Sequence, residues 1–123
     1  MRAEVSDVSQ VDYIKDLTIV AVIGEFGFGE VVGVGEYLLD PSNNMAEVAF
    51  SVSQQFKKKG LGKILIRKLC ETARLNGISG LFAYTSPDNR GMINLFKTIP
   101  FKTTKRFEED LVLLSCKFAD DEL

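Results

Sequence analysis

The first half of the chain alternates short apolar segments with turn-forming residues. Three segments rich in β-branched residues predict strands, the second antiparallel to the first: Leu17–Gly24, Val31–Leu39 and Ala46–Val52. The glycine-rich EFGFG (25–29) and the DPSNN segment (40–44) between them are typical of turns. Residues 11–16, which precede the first strand, are interpreted as the tail of a short helix or a lead-in.

The hydrophobic period changes near residue 61. Four apolar residues are spaced four apart: Leu61, Leu65, Leu69 and Ala73. With charged side chains on another face, this spacing predicts an amphipathic helix, and Asn76-Gly77 predicts its end. The segments that follow predict a strand, a short helix and two strands: Leu81–Thr85, Asn89–Lys97, Phe101–Phe107 and Leu111–Phe118. The predicted fold is α/β (α+β), a mixed sheet flanked by helices in the order β-β-β-α-β-α-β-β.

Length and charge limit the class of protein. The 123 residues fit one domain spanning 1–123. The formal net charge is −2, whereas a protein that binds nucleic acid usually shows a basic excess, so nucleic acid is not an expected partner. The longest apolar run, 17–23, is too short to span a bilayer, and nothing at the N-terminus resembles a signal peptide, so a membrane is not an expected partner either.

The cysteines and the missing histidine narrow the chemistry. The sequence has no histidine, which excludes mechanisms built on a histidine base and histidine-rich metal sites. Its two cysteines, Cys70 and Cys116, form no CxxC motif, so neither a zinc site nor a disulfide framework is expected. We interpret them as buried thiols in a reducing compartment, which favours the cytoplasm. Without a histidine-rich or cysteine-rich site, we expect a protein without metal.

A lysine run and two glycines, KKKGLG (57–62), stand at the start of the predicted long helix. A helix N-terminus leaves backbone N–H groups without partners, and glycine lets a ligand approach the backbone, so the segment predicts a phosphate or pyrophosphate site. It fits neither a Walker loop nor a dinucleotide fingerprint. The alternative is a solvated lysine run. The earlier glycines Gly27, Gly29 and Gly33 are interpreted as turn glycines.

A carboxylate lies on the strand that leads into this loop. By strand alternation, Glu47, Ala49 and Ser51 share one face, and the even-numbered residues 46–52 share the other. Open α/β sheets hold ligands near the carboxyl ends of their strands, so Glu47 is a candidate site residue. The alternative is an ordinary strand residue that faces solvent.

At two places the sequence resembles the GNAT acyltransferases, which use acetyl-CoA. AEVAFSVSQQFKKKGLGKILI (46–66) resembles their central motif, whose signature is Arg/Gln-x-x-Gly-x-Gly/Ala at the start of a long helix. NRGMINLFKTIPF (89–101) is similar to a second motif, Asn-x-x-Ala-x-x-Leu-Tyr-x-x-x-Gly-Phe. The resemblance covers residues 17–118 and is closest to the bacterial protein-lysine acetyltransferases.

The resemblance implies an N-acetyltransferase that moves an acetyl group from acetyl-CoA to a primary amine, such as a protein lysine. Glu47 would be the general base. Asn89 would hydrogen-bond to acetyl-CoA, and Phe96 would pack near its thiol end. The pantetheine arm would pair with the backbone of Phe50, Ser51 and Val52. The pyrophosphate would be held by the backbone N–H groups of Lys57, Lys58, Lys59, Gly60, Leu61, Gly62 and Lys63.

The chain departs from the family pattern at several positions. Lys57 replaces an Arg or Gln, and Pro100 replaces a glycine. Phe96 stands where many members have a tyrosine that protonates the leaving thiolate. Either the thiolate leaves with the help of solvent or another acid protonates it, and Tyr84 is the nearest candidate in the sequence. The family also has a strand and one or two helices before the position of Leu17. Only 16 residues precede it here, so we expect a short or missing N-terminal part, as in a piece of a longer protein.

Two other functions remain open on the sequence alone. The first is a non-catalytic, regulatory module that binds acetyl-CoA. The second is a nucleic-acid-binding module that uses the lysine run, which the acidic balance disfavours. Association with a second copy or fusion to other domains is also open.

Overall fold

The structure is a computed structural model that describes residues 2–6, 15–24, 29–57 and 60–118. The strands in these ranges are β1 Arg2–Ser6, β2 Asp16–Ile23, β3 Glu30–Asp40, β4 Met45–Val52, β5 Gly80–Thr85, β6 Lys102–Glu108 and β7 Leu111–Lys117. The helices are α1 Leu61–Leu75 and α2 Arg90–Lys97, and a single 3-10 turn, Gln54–Phe56, leads from β4 toward α1.

The predicted order of elements is confirmed from β2 onward, with boundaries that differ by one residue. The structure adds a strand that the sequence analysis did not predict, β1, which pairs antiparallel with β2. Gly77 has a φ of 78°, as predicted for the end of α1. Residues 25–28 of the first predicted turn and 11–14 of the predicted lead-in lie outside the described residues.

The strands form one mixed sheet, as predicted. Its order is β1-β2-β3-β4-β5-β7-β6, and β4 and β5 are the parallel pair. Parallel neighbours need a crossover connection, and α1 lies in the connection between these two strands. The carboxyl ends of β4 and β5 therefore point to the same edge of the sheet, where α1 also begins.

One core joins both helices to one face of the sheet. The predicted apolar stripe of α1 is buried, and it packs together with Phe96 of α2 and the inward residues of the strands. On β4, the predicted alternation is confirmed, because Ala46 and Val48 are buried while Glu47 is exposed. The opposite face of β4, β5 and β7, to which Glu47 belongs, carries no helix among the described residues. We call it the open face.

The interpretation of Gly33 as a turn glycine is wrong. Gly33 lies inside β3, and a Cβ there would stand 2.8 Å from Leu61 Cδ2. At Gly35, two residues on, a Cβ would stand 3.3 Å from Leu65 Cβ. Both glycines therefore allow the first turns of α1 to pack directly on β3, which fixes where that helix begins. Gly27 lies outside the described residues.

The prediction of buried thiols is confirmed, since Cys70 and Cys116 are both free and buried. A hydrogen bond with Cys116 and burial raise the pKa of the Cys70 thiol, so it stays protonated and unreactive. The helices of the described ranges are all too short or too polar to cross a bilayer.

Candidate active site

A gap opens between the two parallel strands. β4 and β5 pair over only three positions, Met45 with Gly80, Ala46 with Leu81 and Glu47 with Phe82. β4 then continues to Val52 and β5 to Thr85 without further pairing between them. The strands therefore separate toward their carboxyl ends and leave an opening in the middle of the sheet.

One wall of this gap offers free backbone groups. Ser53 N–H donates to Val32 O at 2.7 Å, which shows that Ser53 is among the residues whose backbone groups point toward β3. Because hydrogen-bonding direction alternates along a strand, Ser51 also pairs with β3, while Phe50 and Val52 direct their N–H and C=O groups at the gap. Within the described ranges no strand pairs with them there, so an extended ligand with amide groups could.

The N-terminus of α1 lies at the end of β4. Gly60 precedes the helix with a φ of 83°, no side chain caps the first turn within the described ranges, and that turn contains no acidic residue. The first intrahelical bond there runs from Ile64 N–H to Gly60 O at 3.1 Å, which leaves the N–H groups of 61–63 for a ligand. This is the arrangement that a phosphate group prefers.

The lysine run is only partly visible in the structure. Lys57 is exposed just before the helix, whereas Lys58 and Lys59 lie outside the described residues. A Cβ at Gly62 would stand 3.4 Å from Leu95 Cδ1 of α2, an ordinary van der Waals distance. The contact between the two helices therefore does not require glycine at position 62.

Glu47 stands on the open face at the point where the strands separate. It belongs to the last β4–β5 pair, and no described residue gives its carboxylate a hydrogen bond or ion pair. A groove of about 820 Å³ runs beside it along the open face, with Phe82 and Tyr84 of β5 in its wall. Tyr84 is 47% exposed and lines this groove together with Glu47.

Asn89 and Phe96 have structural partners. Asn89 Oδ1 accepts from Met92 N–H at 3.1 Å and so caps α2, and its Nδ2 donates to Thr85 Oγ1 at 2.8 Å. One Nδ2 hydrogen of Asn89 remains for a ligand. Phe96 is 2% exposed and belongs to the core. The contacts of both residues with acetyl-CoA stay predictions.

The sequence analysis missed the far side of the groove. Arg106 of β6 and Lys117 of β7 line it together with Glu47. The signal that places them is the register, because β5 pairs with β7 and β7 with β6. Strand alternation could have assigned their faces, but the pairing of these strands was needed to bring them beside Glu47.

The comparison with known proteins confirms the predicted family. The model of the acetyltransferase (GNAT) family matches residues 4–100, and the chain belongs to this family. An acetyltransferase of Pseudomonas aeruginosa is 29% identical over 91 residues, which cover 74% of this chain and 49% of that protein. The chain therefore spans about half the length of this relative.

Solved structures agree with this assignment. The GNAT domain of S. lividans PAT is 26% identical with a TM-score of 0.73, over 87% of this chain and 63% of that one. A GNAT-family acetyltransferase from Streptococcus pneumoniae shares the fold, with a TM-score of 0.70 at 20% identity, over 89% of this chain and 71% of that one.

Proposed function

We propose that this chain transfers an acetyl group from acetyl-CoA to a primary amine, and that a protein lysine is the acceptor. The observation that carries the proposal is the gap between β4 and β5, where free backbone groups stand next to an uncapped helix N-terminus. The family membership and the resemblance of AEVAF (46–50) to bacterial protein-lysine acetyltransferases support the choice of reaction and acceptor.

The residues at the gap fit acetyl-CoA in two places. The N–H and C=O groups of Phe50 and Val52 are directed so that the pantetheine amides could pair with them as a short strand would. The N–H groups of 61–63 would hold the pyrophosphate, with the positive end of the helix and Lys57 beside it. Because the backbone supplies these bonds, lysine at position 57 is compatible with the site.

Glu47 is proposed as the general base. A lysine amine has a pKa of about 10.4 and cannot attack while it is protonated. Glu47, directly or through one water, would take that proton from the open face, where its carboxylate has no competing partner among the described residues. Bound acetyl-CoA supplies the acetyl thioester. A backbone N–H of β4 would stabilise the negative charge that develops on the thioester oxygen.

The proposed sites for donor and acceptor lie on opposite faces of the sheet. α1 and its N-terminus lie on one face, and Glu47 lies on the other, at the mouth of the same gap. Acetyl-CoA would therefore reach the gap from the helix side and the amine from the open face. Tyr84 flanks the gap on the acceptor side and could protonate the departing thiolate.

The two buried free thiols suit a reducing compartment, and we propose that the protein is located in the cytoplasm.

Acetyl transfer should be tested by mass spectrometry. The protein is incubated with isotope-labelled acetyl-CoA and with lysine-containing peptides, whole proteins and small amines, and labelled acetyl products are counted. Labelled N-acetyl-lysine would support the proposal. Calorimetric binding of acetyl-CoA without any labelled product would instead support a regulatory module, and absence of binding would contradict both functions.

A further inference from the structure

Two lysines face each other on the open face. Lys102 of β6 and Lys117 of β7 are directly paired in the antiparallel ladder, so their side chains project on the same side of the sheet. Both are exposed. Like charges at directly opposed positions repel each other and destabilise a sheet. A bound anion would remove this cost.

The two other charged side chains that line the groove already make hydrogen bonds. Arg106 donates to Glu108 at 2.6 Å, and Asp40 accepts from the N–H and hydroxyl of Ser42 at 3.0 and 2.8 Å. Neither the Lys102 nor the Lys117 ammonium group has an ion pair or hydrogen bond with any described residue. Along the groove, the charged side chains that make no bond with a described residue are thus Lys102 and Lys117 at one end and Glu47 at the other.

The floor between these two ends is continuous. Glu47 pairs with Phe82, and Phe82 pairs with Ser115. The Ser115 hydroxyl lies 2.7 Å from that of Thr104, in the row next to the lysines. β4 and β7 are two strands apart, which is roughly 10 Å at the usual strand spacing. A ligand that carries an amine and an anion several bonds apart could span this distance over the Phe82 ring.

We propose that Lys102 and Lys117 bind a carboxylate of the acceptor, so that this enzyme acts on primary amines that also carry a carboxylate. The assignment of the amine end to Glu47 rests on the proposed function. Two ammonium groups and neighbouring hydroxyls donate several hydrogen bonds, which suits the two oxygens of a carboxylate. The carboxylate can belong to the amino acid itself or to an acidic side chain next to a target lysine.

Acidic side chains of the chain itself could compete with such a ligand. Asp120, Asp121 and Glu122 follow closely after Lys117 in the sequence and lie outside the described residues. A test therefore needs the protein as it stands and a variant that removes these charges, Asp120→Asn with Asp121→Asn and Glu122→Gln. Because the variant keeps every backbone group, it removes the competitor without shortening the chain.

Nα-acetyl-lysine and its carboxamide provide a matched pair of probes, since both carry the same amine and differ only in the carboxylate. In calorimetry with CoA present, we expect the acid to bind roughly 3- to 10-fold more tightly, less so at high salt. Lys102→Gln with Lys117→Gln should remove this preference. Lys105→Gln, on the other face of the same strand, should keep it. A pair of peptides with Glu or Gln beside the lysine tests whether the bound carboxylate comes from a neighbouring side chain. Tighter binding of the Glu peptide would show that it does.

Equal affinity for the two probes, both in the natural chain and in the variant without the three acidic charges, would overturn the inference. Acetyl transfer is measured on the same probes. Absence of transfer to both probes and to the lysine-containing peptides would contradict the proposed function, while the ratio of the two affinities would still decide whether the lysines bind a carboxylate. Transfer to both probes at the same rate and affinity would leave the proposed function standing without the lysine site.

Discussion

Glu47 and Phe82 form the last pair of the β4–β5 ladder, and beyond them the strands separate. The pair sets the position of the proposed catalytic carboxylate relative to the proposed cofactor gap. Glu47 is held at the edge of the opening by its pairing with β3 as well, through Leu38. A side chain at this point can serve an acceptor without lying in the path of the cofactor.

Glu47→Gln should lower acetyl transfer by about 100- to 10,000-fold, the usual contribution of a general base. Acetyl-CoA affinity and thermal stability should hardly change, because the carboxylate is exposed and no described residue bonds to it. The defect should shrink as pH rises toward the amine pKa, because more of the acceptor is then already deprotonated. Steady-state rates between about pH 6.5 and 9.5 measure this.

Glu36→Gln is the matched control for this variant. Glu36 is exposed on β3 and pairs with Ala49, which puts it on the open face one row from Glu47. We expect its rate to stay within a few-fold of the natural protein. A larger loss in Glu36→Gln than in Glu47→Gln would transfer the role of base to Glu36.

Asn89 should show two separable roles. Asn89→Ala removes the cap of α2 and should lower the free energy of unfolding by about 1 kcal/mol. Asn89→Ser restores a cap and should recover most of that loss. If the remaining Nδ2 hydrogen binds the cofactor, Asn89→Ser should still weaken CoA binding about 10-fold, the equivalent of one hydrogen bond. Unchanged calorimetric affinity in Asn89→Ser would make Asn89 a helix cap only.

Local patterns were enough to predict the elements from β2 onward. The four-residue spacing of Leu61, Leu65 and Leu69 predicts α1, and Gly77 marks its end, because both signals are local. β1 was missed because RAEVS is short and has few apolar residues, so its evidence is its pairing with β2. Strand pairing of that kind cannot be inferred from five residues.

The residues of the candidate site likewise fall into those that a local motif predicts and those that only the strand pairing brings together. Glu47 and the helix mouth could be found because a short sequence motif contains both. The end of the β4–β5 ladder at Phe82, and the position of Lys117 across the groove, depend on residues far apart in the chain. Gly33 was misassigned for the same reason, since its contact with Leu61 is visible only once α1 lies on β3.

Tyr37 should make stability fall at alkaline pH. Its side chain is 1% exposed, and its hydroxyl accepts from Asn76 Nδ2 at 3.0 Å, which ties the end of α1 to β3. Burial raises the pKa of Tyr37, against the lowering effect of that hydrogen bond. A raised folded-state pKa means that the contribution is complete below the unfolded value of about 10 and is lost as pH rises through the folded value.

Tyr37→Phe tests this by urea unfolding at two pH values. At pH 8 the variant should be less stable by about 1 kcal/mol, because the hydrogen bond is lost. Above about pH 10 the difference from the natural protein should narrow, since phenylalanine has no proton to lose. Tyr84→Phe, at an exposed tyrosine, is the control. A difference that stays constant with pH for Tyr37→Phe would contradict the role of burial.

Lys63→Glu should change stability and cofactor affinity in opposite directions. Lys63 is exposed in the first turn of α1, which contains no acidic residue, although acids near a helix N-terminus are stabilising. Glutamate there should raise the free energy of unfolding by about 0.3–1 kcal/mol in the absence of ligand. The same carboxylate would repel a pyrophosphate at the N–H groups of 61–63, so CoA should bind about 10-fold more weakly.

Arg67→Glu makes the same charge change one turn further along α1. Its new carboxylate would lie four residues from both Lys63 and Glu71, so attraction and repulsion should nearly cancel, and it stands too far from the helix end to affect the anion site strongly. Denaturant unfolding and CoA calorimetry on both variants separate the two effects. If Lys63→Glu gained stability and kept its CoA affinity, the proposal that the first turn of α1 holds the phosphates would be wrong.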